Sequence, residues 1–324
     1  MHQVLASVAD RTPLFVSTPN LNFLIASQSD DLFRQSVQAS DLSLADGMPV
    51  IWLAKLLGVP ISQRVAGSDL FEALCAQTER TVKVYFFGGP EGAAEQAGAR
   101  VNALADQRVR LGQTPGVRCV GYESPGFGSL EEMSRPDLIE RINASGADFV
   151  VVALGARKGQ AWIQRNRAQL NAPVISHLGA VVNMAAGTIA RAPRWMQKVG
   201  LEWVWRIKEE PMLWKRYASD GFVLLRLLLT RILPEMMWRL RLRGRSPAGA
   251  QGASMEVHRL GDERQLALHG IWAMDQVQRL RDQLNEAAQS QESVCVDVQG
   301  ARYLAPAVRG LVGIASRGES PTRR

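Results

Sequence analysis

From Pro13 onward, short uninterrupted apolar runs alternate with longer stretches in which apolar residues recur every three or four positions. The runs LFVST (14–18), DLSLA (41–45), VKVYFFGG (82–89), VRCVGY (117–122), ADFVVVALGA (147–156) and APVISHLGAVV (172–182) predict strands. They lack the polar alternation of a half-exposed strand, which is how a strand covered on both faces reads. Helices are predicted between them at LNFLIASQSDDLFRQSVQAS (21–40), PEGAAEQAGARVNALADQ (90–107), LIERINASG (138–146) and AWIQRNRAQL (161–170). The alternation predicts an α/β fold with a doubly wound, mainly parallel, Rossmann-like sheet over residues 1–190.

Beyond residue 190 the pattern changes. RAPRWMQKVGLEWVWRIKEEPMLWKRY (191–217) mixes Trp195, Trp203, Trp205 and Trp214 with basic residues, and DGFVLLRLLLTRILPEMMWRLRLRGR (220–245) breaks apolar runs with Arg226 and Arg231. A small-residue linker follows at 246–255. Residues 256–316 predict a second, smaller α/β domain, with a helix at 275–289, a strand at 294–300 and a helix at 305–315.

Charge sharpens this division. The net charge is +7, yet residues 1–190 hold 16 basic against 17 acidic residues and 246–324 hold nine of each, whereas 191–245 hold 13 basic and five acidic. The excess therefore sits in one stretch of 55 residues. Trp and Arg beside an apolar helical face suit a helix lying in the interface of an anionic membrane. A nucleic-acid surface is the rival reading of basic plus aromatic, but FVLLRLLLTRIL is more apolar than a phosphate-tracking groove needs. The expectation is a basic amphipathic appendage meeting an anionic membrane surface and no nucleic acid, with part of it, around Trp203 and Trp205, packed on the main domain. No window is apolar enough to span a bilayer and the N-terminus lacks a signal-peptide pattern, so the expected location is cytoplasmic, peripheral on the inner membrane face. Cys75, Cys119 and Cys295 lack metal-ligand spacing; neither a metal site, a disulfide framework nor a cofactor is expected.

In doubly wound sheets ligands bind outside the C-terminal ends of the strands. The residues expected there are Thr18, Asn20 and Asn22, then Asp46 and Gly47, Gly88 and Gly89, Gly121 and Tyr122, Gly155 to Gln160, and His177, Gly179 and Asn183. Gly88-Gly89-Pro90 before a helix suits backbone N–H groups on a phosphate, although neither GxGxxG nor GxxxxGK[ST] occurs. Asp46 reads equally as a cap for a helix starting near Pro49 and as a general base. His177 reads more readily as a hydrogen-bonded structural residue than as an acid or base.

TPNLNFL, LADGMPVIW, QRVAGSDLF, FFGGPEGAAEQA, VVALGARKGQAWI and AGTIARAPRWMQKVGLEWVWRIKEEP occur in this order, and together they resemble the WecG/TagA/CpsF family of bacterial glycosyltransferases over about residues 13–220. The resemblance implies inverting, metal-independent transfer of a sugar, of N-acetylmannosamine or glucose type, from a UDP-sugar donor to a polyprenyl-diphosphate-linked sugar acceptor in cell-surface or exopolysaccharide synthesis. It places the family's TxN motif on Thr18 and Asn20, its catalytic carboxylate on Asp46 and its nucleotide-side arginine on Arg64. With no metal, positive charge for the leaving diphosphate falls to Arg64 and to Arg191, Arg194, Arg206 and Arg216 of the basic segment. Two motifs depart. The family's PKQE is Arg157, Lys158, Gly159 and Gln160 here, and its Phe-Asp-Phe is Val182, Asn183 and Met184; both departures bear on the donor sugar. The family begins with a strand and helix before position 1, which implies an incomplete start.

The C-terminal piece resembles a STAS domain, the fold of anti-sigma-factor antagonists, through LHGIWAMDQVQRLRDQL and CVDVQGARYLAPAV. Ala305 and Pro306 replace the Asp-Ser of phosphorylatable members, and the chain ends short of the usual closing strand and helix. Such a segment implies a protein partner. The alternative to an enzyme is a membrane-associated scaffold in which the altered PKQE region marks a degenerate nucleotide-sugar site.

Overall fold

The computed structural model describes residues 1–57, 59, 61, 63–126, 128–234, 236–237, 253–261, 263–272, 276–290 and 292–315. The arginine-rich run at 239–245 and most of the expected linker, 246–252, lie outside the described residues. The chain divides into two units, residues 1–51 with 62–224 and residues 52–61 with 225–324.

The first unit opens with α1 (His2–Asp10), β1 (Leu14–Ser17), α2 (Leu21–Ser29), α3 (Asp31–Gln38), β2 (Leu42–Ser43) and α4 (Met48–Leu57), the last running on into the second unit. It continues through α5 (Gly67–Ala76), β3 (Val82–Gly88), α6 (Ala93–Arg110), β4 (Val117–Glu123), α7 (Pro136–Ala144), β5 (Phe149–Ala153), α8 (Ala156–Asn166), β6 (Val174–His177) and α9 (Gly179–Ala186). It ends with α10 (Arg194–Val199), α11 (Glu202–Glu209) and α12 (Trp214–Leu227), the last crossing the division near its C-terminus. The six strands are ordered β2-β1-β6-β5-β3-β4 and every pair is parallel.

Alternate residues of each strand feed opposite faces. Val16, Val84, Phe86 and Val151 meet Leu70, Leu74, Ala97 and Val181 on one side. Phe15, Tyr85, Phe87, Val150 and Val152 meet Ile139, Ile142, Trp162 and Ile163 on the other. Phe87 stacks on Trp162 with ring centroids 4.3 Å apart. Burying each of the Val, Leu, Ile and Phe side chains stabilises the fold by about 1.5–3 kcal/mol, and coverage of both faces explains the unbroken apolar runs.

Two elements differ from expectation. The helix expected over 21–40 is two, because Asp30 leaves the helical conformation and its Oδ1 accepts the Phe33 N–H at 2.9 Å, capping α3. The strand expected over 172–182 stops at His177, and Val181 and Val182 belong to α9. A short apolar run has the same composition whether it is a buried strand or one buried face of a helix, and Gly179, the first residue of α9, marks the change.

In the second unit a π-helical turn (Leu228–Ile232) is followed by β7 (Ser254–Leu260), β8 (Glu263–Trp272), α13 (Val277–Gln289), β9 (Ser293–Asp297), β10 (Ala301–Leu304) and α14 (Pro306–Ala315). Strand β8 pairs antiparallel with β7 and parallel with β9 and β10, a small mixed sheet. Every second residue of β8 is buried, and Leu266, Leu268 and Trp272 pack on Leu280, Leu284, Val308 and Leu311 of the two helices. The same face carries Arg264, fully buried, with Nε 2.5 Å from Glu292 Oε2 and Nη1 3.1 Å from Glu286 Oε2. A buried guanidinium is tolerable because both carboxylates compensate its lost hydration.

Candidate active site

All six strands of the first unit run the same way, so the loops after them share one edge of the sheet, and the order reverses at β1. The loop after β2 is strapped to its neighbours through backbone bonds: Leu44 N–H to Ser17 O (2.8 Å), Asp46 N–H to Pro19 O (2.9 Å) and Val65 N–H to Ala45 O (2.9 Å). These place Asp46 between the TPN turn and the start of α5. Its carboxylate accepts from the N–H of Gly67, the first residue of α5. Gly67 has no room for a side chain. A Cβ there would lie 2.5 Å from Leu178 Cδ2 and 3.4 Å from Thr18 Cγ2, so the backbone approaches Thr18 and Asp46 closely.

Burial pushes the pKa of Asp46 up to about 7; the nearby Glu202 carboxylate pushes the same way, while Arg64 and the Gly67 N–H oppose it. A carboxyl group held near neutrality takes and returns protons at physiological pH. Arg64, mostly buried, places Nη1 2.9 Å from Glu202 Oε2 and Nη2 3.2 Å from Asp69 Oδ2. Asp69 also pairs with Arg191, which pairs in turn with Glu72. Arg64, Arg191, Arg194, Asp69, Glu72 and Met48 line a cleft of about 760 Å³.

The other expected residues sit as follows. Thr18 is buried, its hydroxyl 3.4 Å from the His177 carbonyl oxygen. Asn20 caps α2, its Oδ1 accepting the Phe23 N–H at 3.1 Å. Gln160 is fully buried, donating from Nε2 to Ser17 Oγ at 3.1 Å, and its Oε1 is buried without a partner. Asn183 stands on α9 with its Oδ1 likewise buried and unpartnered. Gly88 and Gly89 have φ of +99° and +91°, and a Cβ on Gly88 would lie 2.8 Å from Ala153 O. The Gly89 N–H donates to Ala153 O at 2.8 Å, so that amide is engaged by the end of β5 and is not turned toward a phosphate. Arg206 pairs with Glu210 on its own segment, and Arg216 lies exposed with its guanidinium 5.1 Å from the Tyr217 ring centre; neither lines the cleft.

His177 is buried with Nε2 2.5 Å from Leu154 O, and burial pushes its pKa down. Its ring also accounts for one departure from the motif. A Cβ at Gly159 would stand 2.2 Å from His177 Cδ2, so the imidazole occupies the space a side chain at 159 would need. Asp69, Glu72 and Glu202 were not among the residues expected at the site. Asp69 sits at the helix-start position of AGSD and Glu202 within GLEW, where an acid reads as ordinary helix-start chemistry.

A parallel doubly wound sheet carrying a near-neutral carboxylate beside an arginine-lined cleft at its C-terminal edge has the make-up of a group-transfer enzyme acting on an anionic substrate. Residues 1–236 match the family model described as the glycosyl transferase WecG/TagA/CpsF family, and the chain belongs to that family. It is thus a glycosyltransferase. It is 29% identical over 205 residues to the N-acetylglucosaminyldiphosphoundecaprenol N-acetyl-beta-D-mannosaminyltransferase of Bacillus spizizenii strain W23, a match covering 63% of this chain and 75% of the relative. It is 25% identical over 205 residues to the protein of the same description from Bacillus subtilis strain 168, again covering 63% and 75%.

Proposed function

We propose that the protein transfers a hexose, of N-acetylmannosamine or glucose type, from a UDP-sugar to a polyprenyl-diphosphate-linked saccharide in the assembly of a bacterial cell-surface polysaccharide. The description of the two Bacillus relatives supports the acceptor class and the mannosamine option. The observation that carries the chemistry is Asp46, held near neutrality beside the arginines of the cleft. In the reaction the acceptor hydroxyl oxygen attacks the anomeric carbon from the face opposite the diphosphate, and Asp46 takes the hydroxyl proton. The bond from the anomeric carbon to the diphosphate oxygen breaks, UDP carries away the electron pair, and the configuration inverts. Arg64, Arg191 and Arg194 supply the charge that stabilises the departing diphosphate without a metal ion.

The acceptor's lipid calls for work at a membrane surface. Among the described residues no helix is long and apolar enough to cross a membrane. The first unit instead exposes Trp195, Trp214, Met212 (79% exposed) and Phe222 (69%) among basic residues, which supports peripheral attachment to anionic lipid through this segment. The small C-terminal sheet has its own apolar core, and on its motif resemblance we read it as a STAS-like module for a protein partner.

The deciding experiment incubates the protein, with membranes present, with a panel of UDP-hexoses and a polyprenyl-diphosphate N-acetylglucosamine acceptor. One donor should give a lipid-linked disaccharide of inverted anomeric configuration; no transfer from any UDP-sugar would refute the reading.

A further inference from the structure

Two carboxylates of α5 hold arginines of the cleft, and they hold them differently. Asp69 Oδ2 accepts the Ala66 N–H at 2.9 Å and faces Arg64 Nη2 at 3.2 Å, while its Oδ1 takes the Arg191 guanidinium. The helix's first turn therefore fixes this side chain in place. Glu72 stands three residues further along the same helix, pairs with Arg191 Nη1, and is 62% exposed. Arg191 itself is only 17% exposed, and its Nε is buried with no hydrogen-bond partner. An arginine bound this way has donors left over. A rim carboxylate resting on such a cation occupies ground that an anionic ligand needs, and ion pairs with one exposed partner exchange easily.

We propose that Glu72 is an internal competitor of the substrate's diphosphate: it pairs with Arg191 and yields that guanidinium when a diphosphate enters the cleft, while Asp69 keeps Arg64 and Arg191 in register. Glu72 touches no reacting atom and acts through Arg191. The proposal rests on the reading of the cleft as a nucleotide-diphosphate site. It predicts an unusual sign: removing an acid that makes an ion pair strengthens ligand binding, whereas loss of a merely structural contact would weaken it.

Calorimetric titration of the full chain with UDP, and separately with inorganic pyrophosphate, tests this in wild type, Glu72→Gln and Glu72→Ala. Glu140→Gln is the control, since Glu140 is an exposed acid on α7 outside the cleft lining. Both Glu72 variants should bind UDP about two- to five-fold more tightly than wild type, the range expected from freeing one partly exposed ion pair, and Glu140→Gln should bind as wild type does. Unchanged or weaker UDP binding by folded Glu72 variants would overturn the proposal, as would an equal gain in Glu140→Gln, which would mark a general charge effect. If no chain bound UDP while Glu72→Gln still bound pyrophosphate more tightly, the uridine-nucleotide reading would fall and the competition would stand. Absence of binding to both probes in every chain would overturn both.

Discussion

Arg64 and Glu202 are 138 residues apart in the chain and joined by a 2.9 Å ion pair between Nη1 and Oε2, and both act on the Asp46 carboxyl. Glu202 raises its pKa and Arg64 lowers it. Glu202→Gln removes the raising charge and leaves Arg64 to favour the carboxylate. The acid limb of kcat/KM, expected near pH 7 from Asp46, should therefore move to lower pH. A pH–rate profile measures it, and a limb that stays put or moves upward would show that another group titrates there.

Asp46→Asn tests the base directly. Asn accepts the Gly67 N–H as Asp does but cannot take a proton, so turnover should fall by about 10²–10⁴ while UDP affinity is retained. Its effect on stability has a defined sign. The folded pKa of about 7 lies above the ordinary 3.8, so the folded state binds the proton more tightly, and this group's contribution is full below about pH 4 and is lost as pH rises through 7. Thermal melts should accordingly show the variant gaining on wild type between pH 4 and 8; a Tm difference independent of pH would contradict the raised pKa.

Gly159 and His177 are coupled by space. Gly159→Gln alone forces its Cβ into the imidazole, 2.2 Å from Cδ2, and overpacking of this kind costs about 1–3 kcal/mol. The same substitution in a His177→Ala background should cost much less. Denaturant unfolding of the four proteins of the double-mutant cycle gives the coupling, and additive costs would mean that the ring moves aside freely.

Membrane attachment should depend on both charge and apolar contact. Each basic residue near an anionic surface contributes about 1 kcal/mol and is screened by salt, so liposome co-sedimentation should weaken as salt rises. Met212→Asp and Phe222→Asp, at exposed apolar positions of the first unit, should lower it further at fixed salt with Tm unchanged. Equal binding to neutral and anionic vesicles would remove the electrostatic component.

The C-terminal module should be dispensable for chemistry. Its core is built from its own strands and helices, so deleting 246–324 is expected to leave specific activity within a few-fold. Complete loss in a folded, monodisperse truncation would show that the module takes part in transfer.

The sequence sets the layer architecture through its order, short apolar runs such as VVVA and VYFF rich in β-branched and aromatic residues recurring between longer helical segments, the pattern of strands covered on both faces. It also pointed to Asp46 and Arg64 through family-like motifs, and to Arg191, Arg194, Arg206 and Arg216 through the charge of the basic segment, of which Arg191 and Arg194 line the cleft. It did not determine where an apolar run changes from strand to helix, as at Leu178, since hydrophobicity is blind to that choice. Nor did it reveal Glu202, Asp69 and Glu72 as site residues. An acid in a helix's first turn is explained locally by the helix dipole, and only the tertiary approach of α5, α11 and the segment at 191 sets these acids on the arginines. The proton affinity of Asp46 was likewise beyond the sequence, because burial and the charges of Glu202 and Arg64 fix it, and both are properties of neighbours far away in the chain.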